Sequence, residues 1–349
     1  MHSTTVAVDL AMSVFELAIV DEKGTITERL RLNRARFSAF FVQRPSCRVL
    51  MEACGSAHYW ARCIARHGHS VELLPAQYVR RYVRRSKTDR ADAAALIEAA
   101  RCGEIRAVPV KTIEQQQMLA LHRLRSQWMS TRHRYLNTLR GLLREFGVAI
   151  PLGARVARVQ IARHLAQPPQ DLPPALQPLM MQMLSDLDQL EQRIMQAEQQ
   201  IAAVARGDEV VQQLREVPGV GLLTSTALRA TVGSIERFGS ARRFASWLGL
   251  TPREYSSGER RRLGGISKQG DSYLRTLLVH GARSVLLAAH RQHMQGRPLD
   301  RLRQWALKCK QLRGHNVTAV ALANRLARII WAIWKYDRSF DGNWHPTAA

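Results

Sequence analysis

The first hundred residues alternate short apolar runs with amphipathic stretches, and this alternation constrains the fold more than any other feature of the chain. The runs "TTVAVDL", "CRVLMEA" and "SVELLPA" are typical of β-strands, and "VFELAIVDEKGTITERLRL" is typical of two strands joined by the turn "DEKG". Helical patterns follow in "SAHYWARCIARHG" and from Asp89 onward. The pattern predicts an α/β domain over residues 1–110.

The rest of the chain is predicted to be mainly helical. Residues 111–178 form a basic helical segment with a proline-rich connector, residues 207–338 form a second domain, and residues 339–349 form a tail. Between them, residues 179–206 carry an apolar seam whose spacings alternate between three and four. This spacing favours a dimer-forming coiled coil over packing against the chain's own helices. The seam consists of Met180, Met183, Leu187, Leu190, Ile194, Ala197, Ile201 and Val204.

The charge of the chain indicates the class of partner. There are 52 Lys and Arg residues against 28 Asp and Glu residues, a formal net charge of +24, so nucleic acid is the first expectation. A membrane partner is disfavoured because Asn324, Arg325 and Arg328 interrupt the most apolar C-terminal segment, and we expect no signal peptide. The five cysteines include no CxxC pair, which indicates neither a disulfide framework nor a zinc site. A reduced, cytoplasmic protein is expected.

Four carboxylates stand at the ends of predicted elements in the first domain. Asp9 and Glu52 lie at or near the ends of strands, while Asp89 and Asp92 are three residues apart where a helix begins, and so share a face. Hard oxygen ligands that converge in this way bind Mg²⁺, and paired ions assist phosphoryl transfer. The alternative, which spacing alone favours, is that Asp89 is an N-cap and Asp92 a first-turn acid stabilised by the helix dipole. The two further acids in the same unit support the metal site.

Two basic segments are predicted to contact a nucleic-acid backbone. The segment "RPLDRLRQWALKCKQLRGHN" is amphipathic, and we favour this role for it over that of a solvated helix face. The other segment precedes the helix that begins at Asp89. Its cations are Arg80, Arg81, Arg84, Arg85, Lys87 and Arg90.

Two glycine-containing motifs mark the second domain. "VPGVGLLTSTAL" resembles a helix-hairpin-helix turn, in which Gly219 and Gly221 let backbone amides approach a phosphate; a tight turn between packed helices is equally consistent with it. "YSSGERRRLGGISKQG" places Ser256 and Ser257 before a glycine in a cationic loop. On the residues alone, this loop is predicted to bind phosphate, with incidental serines. Its cations are Arg260, Arg261, Arg262 and Lys268.

Taken in order, these motifs resemble the transposases of the insertion sequence 110 family, in its 1111-like subgroup. The resemblance rests on the Asp that ends the first strand, the Glu of "MEACG", the run "KTDRADA" and the C-terminal run "RFGSARRFASWLGLTPREYSSGERRRLGGISKQGDSYLRTLL". It implies a ribonuclease H-like, RuvC-like N-terminal domain and a central helical or coiled-coil segment. It also implies a mainly helical C-terminal domain with a helix-hairpin-helix-like motif.

The same resemblance implies a chemistry. The family's nucleophilic serine just before a glycine corresponds to Ser257, with Ser256 the weaker candidate, so donor and target DNA would be cut and rejoined through a phosphoserine bond. A structured non-coding bridge RNA would guide the reaction. The serine and a Mg²⁺-binding DEDD site would meet across protomers of a dimer or tetramer, in the bacterial cytoplasm at the nucleoid. The metal ligands would be Asp9, Glu52, Asp89 and Asp92.

One departure concerns Met12, which stands where related sequences commonly have a lysine, so a role for that lysine does not carry over. Other functions remain open. A site-specific DNA invertase would use the same scaffold, and a RuvC-like metal-dependent junction nuclease would not need the serine. A non-catalytic nucleic-acid scaffold would need neither the serine nor the acids.

Overall fold

The computed structural model describes residues 4–83 and 89–343; of Asp89 and Arg90 it describes the backbone. The chain divides into two compact units, residues 1–112 and residues 113–349. The first unit is α/β and the second is mostly helical, which confirms the predicted fold class.

A five-stranded sheet forms the centre of the first unit. Its strands are β1 (Thr5–Leu10), β2 (Val14–Val20), β3 (Ile26–Asn33), β4 (Arg48–Glu52) and β5 (Ser70–Leu74). Their order is β3-β2-β1-β4-β5; β2 runs antiparallel to both β1 and β3, and β4 and β5 run parallel to β1. Short turns join the antiparallel strands, whereas each parallel strand is reached through a helix. The arrangement is the ribonuclease H-like, RuvC-like one that was predicted.

Helices cover both faces of this sheet. They are α1 (Arg34–Val42), α2 (Ala57–Ala65), α3 (Ala76–Val79) and α4 (Asp89–Arg101). On one face, Val6 and Val8 of β1 lie in an apolar cluster with Phe37 of α1 and Trp60 of α2. On the other face, Ala7 lies in a cluster with the alanine-rich side of α4. Successive strand residues point to opposite faces, so the alternation along β1 separates the two layers.

Helices dominate the second unit. They are α5 (Ile113–Glu145), α6 (Ala154–Ala166), α7 (Leu176–Val204), α8 (Glu209–Arg215), α9 (Leu222–Val232), α10 (Ala241–Trp247), α11 (Ser272–Met294), α12 (Arg301–Arg313) and α13 (His315–Tyr336). A short hairpin of β6 (Pro252–Glu254) and β7 (Leu263–Ile266) interrupts them. Prolines occupy the breaks between α5, α6 and α7, because proline lacks the N–H that would continue a helix.

Most of the heptad seam of α7 is buried within the single chain, and a coiled coil between copies stays a prediction. Leu187 lies in one apolar cluster with Leu139 and Leu143, near the end of α5. Ile201 lies in another cluster with Met118, near the start of α5, so the two helices run antiparallel. The long helix α5 covers the seam, and burial therefore does not require a second copy. The buried seam residues are Met180, Leu187, Leu190, Ile194, Ala197 and Ile201.

The core of the C-terminal part is built around α13. Leu322, Leu326 and Ile330 recur at helical spacing and are fully buried. In the described part of the chain, α13 is the one helix long and apolar enough to cross a membrane, but half of its most apolar stretch is buried within the fold. Its apolar character is accounted for by its place in the core.

Candidate catalytic and nucleic-acid-binding sites

Asp9 and Glu52 stand at the carboxyl ends of two adjacent parallel strands. The register of β1 on β4, continued by one residue, places the two acids side by side. Ala7 and Leu50, two residues before each acid, face α4. Because side chains alternate along a strand, both carboxylates face α4 as well, and both residues are half-buried.

Helix α4 brings its first turn to the same edge of the sheet. At its other end, Arg101 donates a hydrogen bond from Nη2 to the carbonyl oxygen of Gly24 at 2.8 Å. Gly24 lies in the β2–β3 turn, beside the N-terminal end of β1, so α4 runs antiparallel to β1. Asp92 shares a helix face with Leu96, which is buried in the layer between α4 and the sheet. Three of the four predicted acids thus lie at one edge, and the backbone of Asp89 belongs to the same helical turn.

This edge has the ligand chemistry that a divalent metal requires, because carboxylate oxygens are hard ligands of the kind Mg²⁺ prefers. Within residues 4–83 and 89–343, no three His, Cys, Asp or Glu side chains lie close enough together to hold a metal ion. The carboxylate of Asp89 is not among the described side chains. The donor set fits Mg²⁺ in its chemistry, and the carboxylate of Asp89 is its fourth predicted member.

A further carboxylate, which the sequence interpretation did not single out, lies opposite Asp9. Glu16 of β2 pairs with Asp9 in the antiparallel register and lies on the face of the sheet that Ala18 presents to α4. Its Oε1 is 3.6 Å from Nε of Arg31, so it has a cationic partner within the unit. The two acids are symmetric about the β1–β2 turn, and hairpin pairing of "AVDLAMSVFEL" was the signal that could have revealed the pair.

Ser257 precedes the turn of the β6–β7 hairpin. Its backbone pairs with that of Arg260, each N–H donating to the other residue's carbonyl oxygen, at 3.3 and 3.2 Å. Between them, Gly258 has a φ of +55°, a conformation that glycine adopts without strain and that suits a tight hairpin turn. The whole turn is exposed. The glycine therefore holds the serine at the tip of the hairpin.

Ser256 lies on the opposite face of this hairpin and has its own partners. Its hydroxyl donates to Oε1 of Glu254 at 2.8 Å and accepts from the backbone N–H of Arg262 at 3.2 Å. Nε of Arg261 donates to the same Glu254 oxygen at 3.2 Å. The hydrogen bond from Ser256, and then the charge of Arg261, lower the pKa of Glu254 below its usual value. The hydroxyl of Ser256 is therefore occupied by an ionised carboxylate.

The surroundings of Ser257 are different. Its hydroxyl forms no hydrogen bond within the part of the chain that the structure describes. Backbone pairing places Arg260 opposite Ser257 and Arg262 opposite Tyr255, so both arginines share its face. Neither guanidinium forms an ion pair with a described carboxylate. A free hydroxyl beside two unpaired cations is an arrangement suited to binding a phosphate.

Comparison with known proteins connects both parts of the chain to one family. The DEDD domain model of IS110 transposases matches residues 6–148, and the model described as transposase IS116/IS110/IS902 family matches residues 211–297. A probable family 20 transposase of Pseudomonas aeruginosa is 42% identical over 334 residues, which cover 95% of this chain and 97% of that protein. The chain belongs to the IS110 family of transposases.

Other relatives extend this result. The transposase for insertion sequence element IS1111A of Coxiella burnetii is 36% identical to this transposase, over 93% of this chain and 88% of its own length. A more distant relative, a pilin gene-inverting protein of Moraxella bovis, is 23% identical over 99% of this chain and 100% of its own length. The family and the 1111-like resemblance predicted from the motifs are thereby confirmed.

Each family model covers a different set of the site residues predicted for this transposase. The first spans the four acids, and the second spans the Gly219 turn and the serine hairpin. A DEDD transposase domain implies a divalent metal, in agreement with the ligand chemistry of the acid edge.

Gly219 of the transposase packs closely against another helix. Its φ is +81°, and a Cβ there would lie 2.6 Å from the carbonyl oxygen of Gly281 in α11. Conversely, a Cβ on Gly281 would lie 2.0 Å from the carbonyl oxygen of Gly219. Gly221 is exposed just before α9, and nothing lies within 4 Å of its Cβ position. The Gly219 turn thus packs against helix α11. Of the two glycines of this turn, Gly219 and Gly221, only Gly221 has room for a phosphate beside it.

The basic segment before α4 is described in part. Arg80 and Arg81 are exposed in a 3₁₀ turn, and the guanidinium carbon of Arg81 is 5.7 Å from the ring centre of Tyr78. In the serine loop, Lys268 is exposed and has a φ of +55°, an uncommon conformation for a residue other than glycine. These cations are accessible to a ligand. Outside the described residues lie Arg84, Arg85, Lys87 and the side chain of Arg90.

Proposed function

We propose that this transposase cuts and rejoins DNA with Ser257 as the nucleophile. The observation that carries the proposal is the separation of the two serines on the hairpin. Ser256 is hydrogen-bonded to Glu254, whereas Ser257 is free on the face of Arg260 and Arg262. A hydroxyl that attacks phosphorus must be accessible, and nearby positive charge favours its alkoxide. The same guanidiniums can stabilise charge on the phosphoryl oxygens.

In the proposed reaction, Oγ of Ser257 bonds to phosphorus and its proton passes to solvent. The bond from phosphorus to one sugar oxygen breaks, and that oxygen takes up a proton to become a hydroxyl. A hydroxyl on another DNA end then attacks the phosphoserine and releases Ser257. Because each step exchanges one phosphate ester for another, the reaction needs no ATP.

We also propose a metal site at the acid edge. The support is the placement of the described acids at one edge of the sheet, facing α4. Bound Mg²⁺, as a pair of ions, would supply positive charge to the attacking and leaving oxygens. Following the resemblance, the acids of one protomer and the serine of another form a composite site in a dimer or tetramer. The proposed ligands are Asp9, Glu52, Asp89 and Asp92.

The proposed partners are donor and target DNA and a structured non-coding bridge RNA. A net charge of +24 supports polyanionic partners, because each phosphate that is neutralised releases counterions. Such a protein would work in the bacterial cytoplasm, at the nucleoid, and would not need a membrane. The proposed contacts are the arginines of residues 80–90 and Lys87, the turn at Gly219 and Gly221, and the cations of the serine loop.

A site-specific DNA invertase is the second candidate, and the similarity to the pilin gene-inverting protein favours it. The serine chemistry would be unchanged, and the two recombining sites would lie in inverted orientation on one molecule. A plasmid with inverted sites and a pair of plasmids with one site each separate the two functions.

The test is a recombination assay in cells, with donor and target plasmids and the flanking non-coding DNA of the element. Ser257→Ala and Asp92→Ala are expected to abolish joined products, whereas Ser256→Ala, the matched control, should retain them. A denaturing gel then shows whether protein and DNA become covalently joined, which Ser257→Ala should prevent. If Ser257→Ala recombines normally, the serine mechanism is wrong. If hydrolysed ends accumulate without the serine, a metal-dependent junction nuclease is the better account.

A further inference from the structure

A groove of about 1480 Å³ runs across the second unit beside the serine hairpin. One wall is the hairpin itself, and the other walls are α12, α13 and residues 338–342. Gly264 and Gly265 of β7 line the hairpin wall, and nothing lies within 4 Å of the Cβ position of Gly265. Gly265 therefore leaves part of that wall open to a ligand, whereas the ring of Tyr255 covers Gly264, 3.2 Å from its Cβ position.

Six cations line the groove, among side chains that are mostly apolar. Asp341 is the one acid among its described lining residues. Arg325 is partly buried, and burial, together with the charges of Arg328 and Arg301, lowers its pKa. Cations crowded in a concave surface attract a polyanion, because the surrounding protein concentrates their field. The cationic lining residues are Arg253, Lys268, Arg313, Arg325, Arg328 and Arg338.

Aromatic rings lie among these cations. The guanidinium carbon of Arg325 is 4.8 Å from the ring centre of Trp305, and that of Arg338 is 5.1 Å from the ring centre of Tyr336. Tyr255 and Tyr336 are 61% and 52% exposed. Aromatic and guanidinium planes stack on unpaired bases, whereas the bases of a duplex keep their faces covered. A cationic groove with exposed rings therefore fits a single strand of nucleic acid.

We propose that this groove binds single-stranded DNA next to the phosphodiester that Ser257 attacks. Tyr255 lines the groove and lies two residues before Ser257 on the same face of the hairpin, so a strand in the groove passes the serine. The choice of DNA and its position beside the serine rest on the proposed function; the binding of a single strand rests on the groove alone. The strand must be unpaired there because stacking uses the base faces.

The binding test uses the full chain with Ser257→Ala, so that no covalent joining contributes to the signal. Fluorescence anisotropy compares a labelled single-stranded DNA of about 20 nucleotides with duplex DNA and RNA of the same sequence. Adding Tyr255→Ala or Arg328→Glu is expected to weaken single-strand binding about tenfold. Arg193→Glu changes an exposed arginine of α7 outside the groove by the same charge, and should change binding by about twofold at most.

Photocrosslinking locates the strand without relying on any substitution. A single strand that carries iodouracil should form adducts on Tyr255, Trp305 or Tyr336, identified by mass spectrometry of the peptides. Adducts outside the groove, equal losses from Arg193→Glu and Arg328→Glu, or tighter binding of duplex DNA or RNA would overturn the inference. If the groove variants and crosslinks give these contrary results while the parent protein still forms a covalent Ser257–DNA product, the serine mechanism is retained and the groove is rejected. If the strand binds but Ser257 forms no adduct with DNA, the serine mechanism fails and the groove stands.

Discussion

Nδ1 of His122 on α5 lies 2.9 Å from the hydroxyl oxygen of Tyr273 on α11. Its Nε2 lies 3.0 Å from Oγ1 of Thr226 on α9, so one side chain joins three helices of the second unit. The residue is 2% exposed. Burial, and then the charge of Arg125, lower the pKa of His122 to about 4. The imidazole is therefore neutral at physiological pH, and both of its nitrogens have partners.

We expect the second unit to lose stability as the pH falls from 6.5 towards 4. Because the pKa of His122 falls from 6.5 to about 4 on folding, the unfolded chain binds more protons in this range. The stabilisation that depends on neutral His122 is complete above pH 6.5. Its loss lowers the free energy of unfolding by about 3 kcal/mol once the pH reaches the pKa of the folded state. Urea unfolding at about pH 7 and about pH 5 measures it. His122→Gln should flatten the dependence, and the exposed His133→Gln on the same helix should not. A parent-like pH dependence in His122→Gln would contradict the assignment.

Gly281→Ala should destabilise the second unit by about 3 kcal/mol or more. The new methyl group would meet the backbone of the Gly219 turn, which cannot move away as a flexible side chain could. Gly141→Ala is the matched control, because Gly141 lies inside α5 with nothing within 4 Å of its Cβ position. That change should stabilise the protein by about 0.5–1 kcal/mol. The measurement is the midpoint of thermal unfolding of each variant. Equal midpoints for Gly281→Ala and Gly141→Ala would disprove the close contact.

Asp92→Asn should lower Mg²⁺-dependent cleavage by about a hundredfold or more without unfolding the protein. The carboxylate is half-buried at the acid edge, where its oxygens are available to a metal. Chelation of divalent metal should stop the parent protein to the same extent. Glu16→Gln is the control, since that acid already has Arg31 as its partner and should be dispensable. Full activity in Asp92→Asn would remove Asp92 from the ligand set.

Leu187→Ala should destabilise the α5–α7 pair by about 2–5 kcal/mol and leave the number of protomers unchanged. The side chain is 1% exposed within a single chain, so its loss opens a cavity inside the protomer. Met195→Ala, at a position that is 55% exposed on the same helix, should have little effect on stability. Denaturant unfolding gives the stability, and light scattering gives the mass of the assembly. An assembly that dissociates in Leu187→Ala at unchanged stability would show that the seam is an interface between copies.

The α/β class of the first unit could be predicted because each strand carries its own pattern. The apolar run of β1 is short and uninterrupted, and Asp9 follows it. This pattern is expected of a strand buried on both faces. That Asp9 and Glu52 lie at strand ends could be predicted too, but the parallel adjacency of their two strands is a property of the sheet topology. The pairing of Glu16 with Asp9 was missed because it depends on the register of a hairpin, not on the composition of either strand.

The partner of the heptad seam could not be predicted for a different reason. Regular spacing specifies an apolar stripe, and it does not specify which surface covers that stripe. Here α5, which the sequence showed as a basic helix, supplies Leu139 and Leu143 on its concealed side. The contact between Gly219 and Gly281 could not be predicted either. The two glycines lie far apart in the chain, and nothing in the sequence around Gly281 indicates its partner.

Ser256 and Ser257 are adjacent in sequence, and the length of one turn decides which of them is free. With Gly258 at the start of the turn, Ser257 pairs with Arg260 and Ser256 stands opposite Arg261. A turn longer by one residue would place Arg262 opposite Ser256 and leave Ser257 facing Arg261. The nucleophile proposed for this transposase is therefore specified by spacing as much as by residue type, so an insertion or deletion at the hairpin tip should be as damaging as the loss of Ser257 itself.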